Sequence, residues 1–371
     1  MNSVIRARRR ENLFVLPDPW AVDVPPHPAG MFDAFYHLVS RFVQEYTREK
    51  PPLSKAAYLR FVRFMVENGL SPKTVVDTLR QLYGERGSRT RWKRAPILDS
   101  LQWDVFRHHY HKLKPRLATF FVNSTAHYQH FYWRNMEPEL FALRDEHNRD
   151  AGLENAILFG YQKMDRIVQD ALDLAGREAT VVLCTALGAQ PLLKYDADGG
   201  RQIMRARDMD SFLAWAGVTQ TYTYAPVMSE QFHLLFGTEE DAVAAQERLL
   251  ALKLEDGRTV MMARRDGRDL LCGVIVPTMP PEGSLVLTPF ANERMAFEAL
   301  FYPAQGLKSG MHHPDGILWI RTPERRHVEI GRRISLREVA PTLLELAGVQ
   351  TSHRFELPPL REVRAPELEL A

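Results

Sequence analysis

The residues best suited to chemistry stand beside apolar runs, where an open α/β sheet would present them beyond its strand ends. Leu117–Val122 is followed by Asn123-Ser124-Thr125-Ala126-His127-Tyr128-Gln129-His130. Thr180–Cys184 is followed by Thr185-Ala186-Leu187-Gly188, and Gly310-Met311-His312-His313-Pro314-Asp315-Gly316 leads into the run ending at Ile320. His127 and His130 are three apart, so a helical turn starting near Asn123 would set both imidazoles on one side. Tyr128, Phe131, Tyr132 and Trp133 surround them, which leaves a second reading open: hydrogen-bonded histidines in an aromatic cluster. Ser124, Thr125 and Cys184 sit where a nucleophile could, but none has an identifiable base, so they read as structural. His108-His109-Tyr110-His111 has metal-site composition. It closes an amphipathic helix beside Lys112 and Lys114, where imidazoles favour the helix dipole instead. Asp104 and His108, four apart, read as a surface pair rather than an acid–base dyad.

The elements that would hold these residues follow from periodicity. Between about Met31 and Tyr110, apolar residues recur at three- and four-residue spacing in FDAFYHLVSRFVQEY, AAYLRFVRFMVENG and SPKTVVDTLRQLYG, which predicts helices. Ser71-Pro72 suits a helix start and Gly69 the stop before it. Asn12–Leu16, ahead of Pro17 and Pro19, predicts a short strand. Leu117–Val122 and Thr180–Cys184 read as buried strands flanking a long helix over 152–176, a βαβ unit and hence a parallel sheet covered on both faces. LLCGVIV, SLVL and GILWI predict further strands, with helices at EEDAVAAQERLLALK and ISLREVAPTLLELAGV.

Composition narrows the classes. The chain has 371 residues, 45% hydrophobic and 25% charged, which excludes disordered and collagen-like proteins. Two cysteines, Cys184 and Cys272, make neither a disulfide framework nor a zinc finger. No apolar run approaches the ~18–20 residues of a membrane span, and MNSVIRARRRENLF lacks the apolar stretch of a secretory signal. A cytoplasmic location is the expectation. Residues 1–120 hold 21 Lys and Arg against 11 Asp and Glu, a net +10, while the rest carries −8. Without an aromatic-interleaved basic stripe, that asymmetry reads as solvated helix faces, and neither nucleic acid nor membrane is an expected partner.

The order of the segments resembles the alkaline phosphatase superfamily, and within it the type I phosphodiesterases or nucleotide pyrophosphatases. In that family a strand ends in Asp with His four residues on, then come a long helix and a strand ending Ser-Asp-His-Gly. Gly-x-His-x-x-x-Gly follows, and near the end a helix like Asp-Ile-Ala-Pro-Thr-Leu-Leu-x-Leu-x-Gly. Here Asn123-x-x-x-His127, the segment 160–188, Gly310-x-His312-x-x-x-Gly316 and Glu338-Val339-Ala340-Pro341-Thr342-Leu343-Leu344-Glu345-Leu346-Ala347-Gly348 stand in that order, spanning roughly 95–350.

The resemblance implies an α/β fold, a mostly parallel sheet flanked by helices, with an N-terminal helical insertion or cap. It divides the chain into a short strand and Pro-rich entry segment (1–27), a mainly helical cap or insertion (28–113), an α/β phosphodiesterase-like core (114–350) and a polar tail (351–371). It implies metal-dependent hydrolysis of a small-molecule phosphate or related ester, with zinc or another divalent metal as cofactor. Two metals would flank a Thr or Ser nucleophile and stabilise the attacking and leaving oxygens. One metal shell maps onto Asn123, His127 and His312, with His130 or His313 as a further ligand. The departures bear on that shell. Asn123 replaces a carboxylate, Ala186-Leu187 replaces the Asp-His pair, and no segment carrying the nucleophile is identified. Two readings follow: a hydrolase that is incomplete or altered at its site, or a catalytically inert relative that binds a ligand or protein partner through the old cleft.

Overall fold

The computed structural model describes residues 13–19, 24–44, 54–85, 90–142, 152–227, 230–304, 306–324 and 327–363. Its helices are α1 (Asp33–Gln44), α2 (Lys55–Glu67), α3 (Pro72–Gly84), α4 (Ala95–Leu113), α5 (Ser124–Met136), α6 (Ala156–Ala175), α7 (Met209–Trp215), α8 (Glu239–Leu250), α9 (Phe297–Leu300) and α10 (Leu336–Leu346). Its strands run β1 (Val181–Thr185), β2 (Gly188–Pro191), β3 (Met204–Ala206), β4 (Tyr222–Pro226), β5 (Gln231–Phe236), β6 (Lys253–Leu254) and β7 (Met261–Asp266). They continue with β8 (Asp269–Val274), β9 (Leu285–Leu287), β10 (Met295–Ala296), β11 (Phe301–Pro303), β12 (Gly310–His313) and β13 (Ile317–Arg321). The chain forms two compact units, one of Met1–Glu67, Glu139–Arg144 and Leu192–Ser309, the other of Asn68–Pro138, Asp145–Pro191 and Gly310–Ala371.

In the first unit, β4-β5-β8-β7 make a four-stranded antiparallel sheet. Strict alternation turns Phe232, Leu234 and Phe236 of β5 and Leu270, Cys272 and Val274 of β8 to the buried side, while His233 and Asp269 face outward. Helix α8 covers that buried face with Ala242, Ala245 and Leu249. It starts where Thr238 accepts a hydrogen bond from the Asp241 amide at 3.1 Å, with three acidic residues in its first turn to complement the dipole. Smaller ladders, β3 with β11 and β6-β9-β10, close the rest of the core.

The second unit builds the site from helices and two short ladders. Ser71 caps α3 by accepting from the Thr74 amide at 3.1 Å, and Asp104 of α4 accepts from the Ser71 amide at 2.9 Å. Helices α5 and α6 pack so tightly that a Cβ on Gly160 would lie 2.5 Å from a ring carbon of Tyr128, which is fully buried. Strand β2 pairs antiparallel with β12, and β1 with β13. Helix α10 opens with a reciprocal capping box between Ser335 and Glu338. Its Thr342 hydroxyl accepts from the Leu360 amide at 2.9 Å, so chain beyond residue 350 packs against this helix.

The expected mostly parallel sheet flanked by helices does not form. Every ladder among the described residues is antiparallel, in sheets of two to four strands. The βαβ unit fails at its first strand. Leu117–Val122 has no ladder partner among the described residues; Phe120 instead anchors it on α4, 5.1 Å from the Trp103 ring and 5.3 Å from Phe106, while Leu117 and Phe121 stay exposed. With that strand missing, β1 pairs with β13 from far along the chain, and Ile317 and Trp319 face solvent rather than covering helices. A short apolar run specifies burial of side chains but not the partner of its backbone, so parallel and antiparallel pairing look alike in sequence. The predicted strand at Asn12–Leu16 is partly outside the described residues; Val15 within it makes an isolated bridge to His27. Helices do form across 31–110, but α1 and α2 belong to the first unit and α3 and α4 to the second. No helix among the described residues is long and apolar enough to cross a membrane.

Candidate functional site

The two histidine segments meet within the second unit, through the backbone. Strand β12 crosses α5 so closely that a Cβ on Gly310 would lie 1.9 Å from the Gln129 carbonyl oxygen and 3.3 Å from the His130 Cα. At the other end of the motif, a Cβ on Gly316 would lie 1.7 Å from the Thr185 oxygen. Both glycines of Gly310-x-His312-x-x-x-Gly316 are therefore demanded by backbone approach. Gly188 belongs to the same junction: its amide donates to the Asp315 carbonyl at 2.7 Å, and a Cβ there would lie 2.6 Å from that oxygen.

This packing puts His130 against His312. Their ring centroids are 4.7 Å apart at 86°, edge to face. His130 Nδ1 donates to the Gly310 carbonyl at 3.1 Å, because a carbonyl can only accept, and this orients its ring. The His312 carbonyl accepts from Gln190 of β2 at 3.0 Å, and its side chain lies on the exposed surface of β12. His313, next along the strand, points to the opposite side. Its Nδ1 accepts from the Asp315 amide at 3.1 Å, and the Asp315 carboxylate pairs with Arg333 at 2.8 Å.

The other two mapped positions do different work. His127 packs within the aromatic cluster, 5.1 Å from Phe131, 5.8 Å from Tyr128 and 6.4 Å from Tyr132. Burial lowers its pKa by disfavouring the charged imidazolium. Asn123 is the N-cap residue of α5 but makes no side-chain cap bond. That role falls to Asp99 of α4, which is buried and accepts from the Ser124 amide at 3.3 Å. Burial raises the Asp99 pKa, while hydrogen bonds from the α5 N-terminus pull it back. Sequence reasoning did not single out Asp99, and an acid inside an amphipathic helix carries no pattern that would mark it as another helix's cap.

The remaining polar candidates are absorbed by the fold. The Thr185 hydroxyl donates to the Leu187 carbonyl at 2.5 Å, closing the turn between β1 and β2. The backbone between α2 and α3 rests on α4, where a Cβ on Gly69 would lie 2.5 Å from the His108 Cβ. His109 Nε2 donates to the Asn68 side-chain oxygen at 3.0 Å. Burial, with smaller contributions from His108 and Lys112, lowers the His109 pKa to about 4.

A resident zinc asks for at least three protein ligands. Among the described residues no group of three or more His, Cys, Asp or Glu side chains converges as a metal shell. The implied set divides instead into the His130–His312 pair, His127 among aromatic rings, and His313 and Asn123 elsewhere on the turn and helix cap. These residues do not fit the implied catalytic metal. Comparison of the chain with protein-family models, with curated proteins and with solved structures finds no match.

Proposed function

We propose that this chain is a binding protein, which holds a small phosphate ester or related anion at the His130–His312 pair without hydrolysing it. The observation that carries this reading is the convergence of two imidazoles from distant parts of the sequence, 4.7 Å apart between centroids, on the surface of β12. Gly310 makes the approach close and the Gly310 carbonyl orients one ring. Ring N–H groups of the pair are donors for an anion beside it. The phosphate-ester class comes from the order of motifs, which resembles that of phosphodiesterases. The non-catalytic reading is supported by the engagement of the groups a hydrolase would need: Thr185 in a turn, Asp315 with Arg333, His127 in aromatic packing.

The test is a titration of the purified chain with phenyl phosphate, followed through the histidine C2-proton resonances, beside hydrolysis assays on bis(p-nitrophenyl) phosphate with added zinc or manganese. The expected result is a shift of the His130 and His312 signals, weakened at least ten-fold in affinity by His312→Ala, with no hydrolysis above background. Turnover abolished by His130→Gln and His312→Ala would overturn the non-catalytic reading. No shift at either histidine would overturn the binding site.

A further inference from the structure

A second recognition feature lies in the same unit, formed by residues the histidine pair does not use. Trp92, Lys93, Gly152, Asn155, Leu158 and Phe159 line a cavity of about 340 Å³, at the small end of the range for small-molecule sites. Its aromatic walls are held by packing and a hydrogen bond. The Trp92 and Phe159 rings meet edge to face at 5.4 Å, and Tyr128 fixes the Trp92 backbone by donating to its carbonyl at 2.8 Å.

Cations gather round these rings. The Lys93 ammonium sits 5.1 Å from the Trp92 centroid and 5.8 Å from Phe159, and Lys163 sits 5.2 Å from Phe159 on the side of α6. Neither lysine forms an ion pair or hydrogen bond with a side chain of the described residues. Arg166 and Lys73 act on Lys163 in the same sense as Lys93, and Asp77 opposes them. Burial first, then Arg166, Lys73 and Lys93, hold the Lys163 pKa below its ordinary value against the opposing Asp77, so an anion bound beside it would favour its charged form. The Trp92 indole N–H is buried and meets no acceptor among the described residues.

A lysine resting on an aromatic face gains little at an exposed site, roughly 0.5–1 kcal/mol, and two on one ring repel each other. Rings beside ammonium groups that lack an ion pair among the described residues suit a ligand that brings both a flat apolar body and negative charge. The geometry points to a small-molecule site for an aromatic anion: a planar ring against Trp92 and Phe159, its phosphate or comparable dianion held by Lys93 and Lys163.

The probe is 1-naphthyl phosphate, titrated calorimetrically into the full chain, with 1-naphthol and inorganic phosphate as the two halves of the ligand. The expected result is binding of the whole molecule at least ten-fold tighter than either half. Lys163→Gln and Lys93→Gln each weaken it about ten-fold, while Lys163→Arg retains it. All of these titrations are made in the His130→Gln/His312→Ala background, so that ester bound at the histidine pair does not contribute. Thermal melts of each variant matching the wild type keep the comparison on folded protein. Equal binding of 1-naphthol and 1-naphthyl phosphate, or affinity unchanged in the Lys93→Gln/Lys163→Gln double variant, would overturn the assignment.

Discussion

Replacing Gly310 with alanine asks whether backbone contact between β12 and α5 assembles the histidine pair. The added Cβ would stand 1.9 Å from the Gln129 oxygen and 2.8 Å from the carbon that bears it. A methyl carbon rests roughly 3.3 Å or more from a carbonyl oxygen, so strand and helix must separate by about 1.4 Å. Both obstacles are backbone, and no rotamer change relieves them. Overpacking of this kind costs about 1–3 kcal/mol. The same displacement pulls the Gly310 carbonyl from His130, now 3.1 Å apart, which costs about 1 kcal/mol more. The sum is about 2–4 kcal/mol, read from the urea midpoint by circular dichroism at constant m-value. Gly306→Ala is the control, since its Cβ meets nothing within 4 Å; it should stay within about 1 kcal/mol of wild type. The histidine C2-proton signals of His130 and His312 should shift in Gly310→Ala alone. If that variant unfolds within about 0.5 kcal/mol of wild type and leaves both signals in place, the contact does not organise the pair and the argument fails.

Four further outcomes follow from the same unit. The His109 pKa is lowered in the folded state, so the stability it contributes is complete above the ordinary histidine value and drains away as pH falls toward about 4. Urea melts should lose up to about 3 kcal/mol over that interval, and His109→Gln should flatten the loss. Asp99 behaves oppositely: its raised pKa means that ionising it costs stability as pH rises from the ordinary carboxylate range. Asp99→Asn should therefore show a smaller decline between pH ~4 and ~7 while keeping an acceptor for the Ser124 amide, and an unchanged profile would refute this. Gly160→Ala should cost about 1–3 kcal/mol, because its Cβ meets a fully buried Tyr128 ring at 2.5 Å. Tyr128→Phe should cost about 1–3 kcal/mol by leaving the Trp92 carbonyl without its donor, as chemical denaturation would report.

The fold was legible where the information is local. Ser71-Pro72, Gly69 and Gly176 mark helix ends in the sequence, and the structure places them at helix ends. The runs around Val181–Cys184, Leu270–Val274 and Ile317–Ile320 became strands, as their β-branched and apolar texture implied. Pairing was not legible. Leu117–Val122 has the composition of a strand yet packs Phe120 on the aromatic rings of α4 and leaves Leu117 and Phe121 exposed.

At the site, sequence alone determined which imidazoles were available and that each pair, His127 with His130 and His312 with His313, lies close along the chain. It also carried the two glycines of the 310–316 segment, whose necessity is visible only when the Gln129 and Thr185 carbonyls arrive beside them. Tertiary structure alone chose His130 over His127 as the partner of His312, and put Asp99 rather than Asn123 at the α5 N-terminus. The reason is physical. Helix caps and apolar periodicity are interactions between near neighbours, whereas a ring contact across 182 residues depends on how strand β12 settles against helix α5. That choice is made by excluded volume between backbones, which no short stretch of sequence contains.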